Sequence, residues 1–205
     1  MGLFATKIHD YILTQALQGE WGASRVDILS RASADIDSLL TGQSASGSYQ
    51  HAMRAPDQTV TEAEELFNAF IVDKLAGAAL MWTRSQCDAA DEQAIYLLGQ
   101  GMHAVADQFT PLHTGFQVWY GIEPGKWVMS QYGEDLYHHF AEDDRPGDPA
   151  VMSAVHAVRE YYRTFRDVVR IARLTRASQP DQFRGLAAGL LGIPMMCGIG
   201  GLTCG

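Results

Sequence analysis

The chain has 205 residues, 47% apolar and 19% charged, with a net charge of -9. This is an ordinary globular composition, long enough for one domain with a sizeable core, and it excludes a disordered chain. The acidic balance argues against duplex DNA as a partner, because proteins that live on phosphate backbones are usually basic. It leaves room for a metal-dependent enzyme whose ions hold the phosphate.

Helical periodicity runs through the chain and strand alternation is hard to find. Ile8, Ile12, Leu13 and Leu17 mark a first amphipathic helix, and residues 24–41 read as a second. The polar stretch Thr41–Ser48 reads as a loop. Thr61 and Glu64 have capping-box spacing and open a long helix reaching about Arg84. Residues 90–108 form another helix, stopped before Pro111. A Gly-, Pro- and aromatic-rich loop covers 114–127, and a helix from about 130 carries Glu134 to Asp143. Asp148-Pro149 starts the most legible helix, with proline at its first position. Val155, Val158, Tyr162, Phe165, Val169 and Ala172 make its apolar face. Arg159, Arg163, Arg166, Arg170 and Arg173 recur on another face. That stripe reads either as a solvated surface or as a contact for lipid headgroups, nucleic acid or an acidic partner.

Residues 185–205 carry no charge, and seven glycines with Pro194 make them a poor membrane helix despite their length. The domain reading is therefore a single helical domain over 1–184 and an apolar, Gly-rich tail over 185–205. The three cysteines, Cys87, Cys197 and Cys204, lack CxxC spacing. They read as isolated thiols, with a Cys197–Cys204 bridge as the alternative. Nothing after Met1 reads as a signal peptide.

The sharpest chemical feature is His103-x3-Asp107-x5-His113. On a helix, His103 and Asp107 share one face one turn apart, where two side chains can grip one ion. Pro111 ends the helix and sets His113 on a turn beside it. His138 and Glu142 repeat the four-residue spacing, as do His139 and Asp143, so that register is open. His9, His51, Asp35 and Asp37 add imidazoles and carboxylates. Zinc takes neutral imidazole and carboxylate ligands, and catalytic sites keep a position for water.

At these residues the sequence resembles the zinc-dependent phospholipases C and the related single-strand zinc nucleases. The match runs from Leu98-Gly99 through His103 and Asp107 to Pro111-Leu112-His113, with His138-x3-Glu142 downstream. His9 corresponds to the family's early histidine, and Asp37 with His51 to its Asp–His pair. The resemblance implies an all-α, single-domain helical bundle of the zinc phospholipase C type, with two or three zinc ions. One zinc would take Asp37, His51, His103 and Asp107. A second would take His113, His138 and Glu142. A third would take His9, a bridging Asp107 and the chain's terminal amine. The family's mature chain begins with Trp, whereas this one begins Met1-Gly2-Leu3-Phe4.

The wording around His51 and His113 also resembles toxin domains at the C-termini of RHS-repeat proteins. Gly2-Leu3 matches the end of their self-cleavage signature, which would make Phe4 the native terminus. The implied enzyme is a phosphodiester hydrolase, phospholipase C-like, acting on membrane phospholipid. It would be an antibacterial effector of the type VI secretion kind, released from an RHS-type precursor, delivered into a target cell and matched by an immunity protein. A nuclease toxin on single-stranded nucleic acid, or a non-catalytic zinc-stabilised binding domain, are the alternatives. Asp37 is the expected catalytic base or water-orienting group. Phe116, Trp119 and Tyr120, with Trp127, either line the substrate approach or pack as ordinary core and rim.

Overall fold

The computed structural model describes residues 5–38, 44–85, 87–111, 113–121 and 147–194. These form six α-helices and one 3₁₀ helix: α1 (Ala5–Ala16), α2 (Ala23–Ile36), the 3₁₀ helix (Ala45–His51), α3 (Val60–Arg84), α4 (Asp88–Asp107), α5 (Pro149–Thr175) and α6 (Pro180–Leu191). Among the described residues the only β pairing is an isolated bridge between Arg54 and Val118. The described residues form the expected all-α single domain.

The helix starts follow local chemistry. α3 is capped by Thr59, whose Oγ1 accepts from the Glu62 amide at 3.2 Å while Glu62 accepts from the Thr59 amide at 2.8 Å. The capping box is thus Thr59/Glu62 and not Thr61/Glu64. Two Thr-x-x-Glu frames overlap here, and the earlier one lengthens the helix by a further two residues. Residues 45–48, expected in a loop, belong to the 3₁₀ helix, capped when the Gly47 amide donates to Ser44 Oγ at 3.2 Å. α5 starts at Pro149, after Asp148, and all six residues of its expected apolar face are buried. The boundary drawn at residue 185 falls inside α6, where Phe183, Ala187 and Ala188 are buried against the bundle. The tail beyond residue 194, with Cys197 and Cys204, lies outside the described residues, as does the expected helix over Glu134–Asp143.

α4 is the central helix. It packs against α3 on one side, α2 on another and α5 on a third. Every residue from Gly101 to Asp107 is buried. Its meeting with α2 depends on Gly99. A Cβ there would lie 2.9 Å from both the Leu29 carbonyl oxygen and the Ala32 Cβ. Only glycine lets the two backbones come this close.

The arginine stripe is partly absorbed by the fold. Arg159 donates to the carbonyls of Gln15 at 2.9 Å and Ala16 at 3.2 Å, closing the C-terminal end of α1 where a cation is favoured. Arg166 pairs with Glu20 at 3.0 Å, Arg170 with Asp167 at 2.9 Å, and Arg163 with Glu160.

Gly99→Ala forces α2 and α4 apart. The expected cost is about 1–3 kcal/mol of unfolding free energy, the usual range for overpacking. Denaturant melts of the two proteins measure it; equal midpoints would show that the contact is slack.

Candidate metal centre

Five segments converge at the C-terminal end of α4. The helix itself supplies His103 and Asp107, one turn apart on its face toward α1 and α2. α1 supplies His9 from its first half. Asp37 is the residue at which α2 ends, and His51 is the last residue of the 3₁₀ helix. His113 comes from the turn after α4. That turn is closed by the Thr110 amide and hydroxyl on the Asp107 carbonyl at 3.0 and 2.7 Å, and by the His113 amide on the Thr110 carbonyl at 3.0 Å. Pro111 has no amide proton to extend the helix.

Asp107 is the hub. Its Oδ1 lies 3.0 Å from His9 Nε2. Its Oδ2 lies 3.0 Å from His51 Nδ1, 3.1 Å from His103 Nε2 and 3.6 Å from His113 Nδ1. His51 Nδ1 and His103 Nε2 are 3.2 Å apart. Asp37 Oδ1 stands 3.7 Å from His103 Nε2 and 3.8 Å from His51 Nδ1. His103 is 1% exposed and Asp107 2%, and the other three imidazoles are also buried.

This donor set fits a divalent cation better than a proton network. Three imidazole nitrogens crowd one carboxylate oxygen that has two lone pairs to offer. Asp37 Oδ2 and His51 Nε2 are buried with no hydrogen-bond partner among the described residues. Buried polar atoms left in this way are costly. Asp37 Oδ1, His51 Nδ1, His103 Nε2 and Asp107 Oδ2 are 3.0–3.8 Å apart in the five pairs given above. Ligands about 2.0–2.1 Å from a tetrahedral zinc lie about 3.3 Å from one another. The trios His51–His103–Asp107 and His9–Asp37–His103 each bring their ligand atoms within 4.8 Å of one another, so they could hold an ion. The two oxygens of Asp107 face different imidazoles, an arrangement suited to a bridging carboxylate.

The charges answer one another. Burial lowers the His9 pKa, but the Asp107 carboxylate, with Asp37 and Asp10, outweighs it and raises it to about 9. His51 is also raised, Asp107 overcoming its burial. His103, the most buried, is pushed down by desolvation. Burial would raise Asp107, yet His103, His113 and His9 hold it well below the usual carboxylate range.

The structure separates Asp35 from Asp37. Asp35 is exposed and accepts the Tyr96 hydroxyl, while Asp37 faces the imidazoles. It also adds a residue outside the expected site. Ser33, 1% exposed, has its Oγ 3.0 Å from His103 Nδ1. The tautomer with its proton on Nδ1 donates to Ser33 and turns a bare Nε2 toward the carboxylates, the form a metal ion binds. Ser33 and Asp37 are four apart at the end of α2, a signal comparable to His103 and Asp107.

Phe116 leaves the expected substrate-lining set. It is buried at φ 56° and meets Phe67 edge-on, with ring centroids 5.7 Å apart. The loop carrying Trp119 and Tyr120 is pinned beside the residues following His51. The Arg54 amide donates to the Gln117 carbonyl at 3.0 Å, and the Trp119 amide to the Arg54 carbonyl at 2.8 Å. Gly121, at φ +77°, ends it against Ala45, whose amide nitrogen would lie 2.4 Å from a Cβ. Tyr120 is 54% exposed. His138, Glu142, His139, Asp143, Trp127 and Phe4 lie outside the described residues.

Comparison with protein-family models, curated proteins and solved structures finds no match to this chain.

Two outcomes follow from this geometry. Ser33→Ala should weaken zinc binding about tenfold or more, as loss of such outer hydrogen bonds does. Competition against a chromophoric chelator reads it, and unchanged affinity would remove Ser33 from the centre. In the metal-free chain, His9 keeps its proton to about pH 9, whereas the unfolded chain releases it near 6.5. The folded state binds more protons in that window, so stability falls as pH rises through it. The lowered His103 acts only below pH 6.5. Thermal melts in chelator should therefore lose a few degrees or more between pH 6.5 and 9; a flat profile would contradict the Asp107–His9 contact.

Proposed function

We propose that the chain is a metal-dependent hydrolase of phosphodiesters, with the ion held by Asp37, His51, His103 and Asp107. Within that class, a phospholipase C-like enzyme acting on membrane phospholipid is the reading we favour. The observation that carries the first step is the donor set: two carboxylates and two imidazoles from three segments at ligand-like spacings. The second step rests on the resemblance around His103–His113 and on the acidity of the chain, which disfavours a polyanionic substrate. A role as a toxin released from an RHS-type precursor and neutralised by an immunity protein rests on the wording around His51 and His113.

Zinc, when bound, supplies polarisation of the phosphoryl oxygens and a water acidic enough to ionise near neutral pH. The residues do the rest. Asp37 is the least buried of the metal-facing groups, its side chain 17% exposed. Its Oδ2 is free to accept a proton from the attacking water or to aim it. Asp107 holds His9, His51 and His103 in place. His103 in turn is oriented by Ser33. Trp119 and Tyr120 border the approach, where a flat ring can lie against apolar substrate.

The test loads the protein with zinc and offers phosphatidylcholine or phosphatidylethanolamine vesicles, and separately single-stranded DNA and RNA. Release of phosphorylated headgroup is expected. Chelator should abolish it, and Asp37→Asn should slow it roughly a hundredfold or more. Cleavage of nucleic acid alone would select a zinc nuclease. Bound zinc with no hydrolysis of either substrate would leave a zinc-stabilised binding domain.

A further inference from the structure

A second concave site lies at the other end of the bundle. Its floor is an interlocked aromatic set from three segments. Trp21, in the turn between α1 and α2, and Trp82, near the end of α3, stack at 6.2 Å and 15°. Tyr162 meets Trp21 edge-on at 5.2 Å, and Phe165 meets Trp82 at 6.0 Å. Arg25 stands over both indoles, its guanidinium 5.8 Å from one ring centroid and 5.4 Å from the other. These contacts hold the two indoles as a preformed surface. The cavity above it has a volume of about 450 Å³, within the range of small-molecule sites.

The wall is one-signed. Arg166, Arg170 and Arg173 line the cavity from successive turns of α5, and no acidic residue lines it among the described residues. This is unusual for a chain with 24 acidic and 15 basic residues. Arg166 and Arg170 share their charge with Glu20 and Asp167 in exposed pairs that a ligand can displace. Arg173 has no acidic partner within salt-bridge distance among the described residues. Leu174, 74% exposed, adds an apolar lip. Asp88 and Asp91 line a separate groove beyond Trp82 and Arg173, and limit how far an anion can extend.

We propose that this cavity binds a small amphipathic anion, with a flat apolar body on the aromatic floor and a carboxylate, sulfonate or phosphate on the α5 arginines. The apolar floor needs the body, and the wall needs the charge. The site is separate from the metal centre. Trp21 of the cavity and Asp37 of the centre stand at opposite ends of the 14-residue α2, roughly 21 Å at 1.5 Å per residue, so one small ligand cannot reach both. The inference stands whether or not the centre hydrolyses phosphodiesters.

The experiment titrates the full chain with naphthalene-2-sulfonate, followed by tryptophan fluorescence and calorimetry. Saturable 1:1 binding with a dissociation constant on the order of 100 µM is expected, the scale for a ligand of this size. The neutral analogue 2-naphthol should bind at least tenfold more weakly. Arg173→Gln, an exposed change that leaves the core intact, should weaken the sulfonate several-fold and leave 2-naphthol unchanged. Trp82→Leu should weaken both. No saturable binding at millimolar ligand, equal affinity for the neutral analogue, or an unaltered Arg173→Gln would each overturn the proposal.

Discussion

The arrangement depends on one buried carboxylate. Asp107 stands at the end of the most enclosed helix and meets imidazoles from α1, the 3₁₀ helix, its own preceding turn and the turn beyond it. The contacts to His9, His51 and His113 each tie a different segment of chain to α4. A carboxylate in that position is expensive to desolvate and is tolerated because the surrounding groups are its counter-charges. The same arrangement leaves atoms on Asp37 and His51 without a hydrogen-bond partner among the described residues, in a group that could hold a metal ion.

The helices around this hub serve it by approaching closely. Gly99 lets α2 lie against α4 almost backbone to backbone. From that contact Ser33 reaches His103 and Asp37 reaches the imidazole pair. Close packing therefore acts on the centre through distance. A shift of α2 by the width of a methyl group would lengthen the Ser33 hydrogen bond and the Asp37 spacings together. Interiors packed to crystal-like density transmit such shifts and do not absorb them.

Charge is distributed by position more than by composition. The chain is acidic overall, yet its His/Asp centre and its arginine-lined cavity lie at opposite ends of the bundle. The five arginines of α5 form a single stripe in the sequence, but they have different tasks. Arg159 closes α1, Arg163 pairs on the surface, and Arg166, Arg170 and Arg173 wall the cavity. A helical repeat shows which residues share a face; the neighbouring elements decide what that face meets.

Much of this was legible in the sequence because it is local. The α5 face, the stop at Pro111 and the His103–Asp107 pair follow from helical periodicity and from proline's missing amide. The six described His and Asp residues that gather at the end of α4 stand out in the sequence by their types and spacing together with a family resemblance. What the sequence could not settle depends on contacts between distant segments. Asp35 and Asp37 are equivalent in composition, and only the direction in which α2 ends separates them. Thr59 and Thr61 offer the same cap, and the helix takes the earlier frame, which adds two residues to it. Phe116 looks like a substrate-lining aromatic until Phe67, forty-nine positions earlier, is brought against it. The sequence by itself determined α3, α4 and α5 and the chemistry they carry. The tertiary structure decided which groups share one carboxylate, because desolvation and distance are properties of the packed chain.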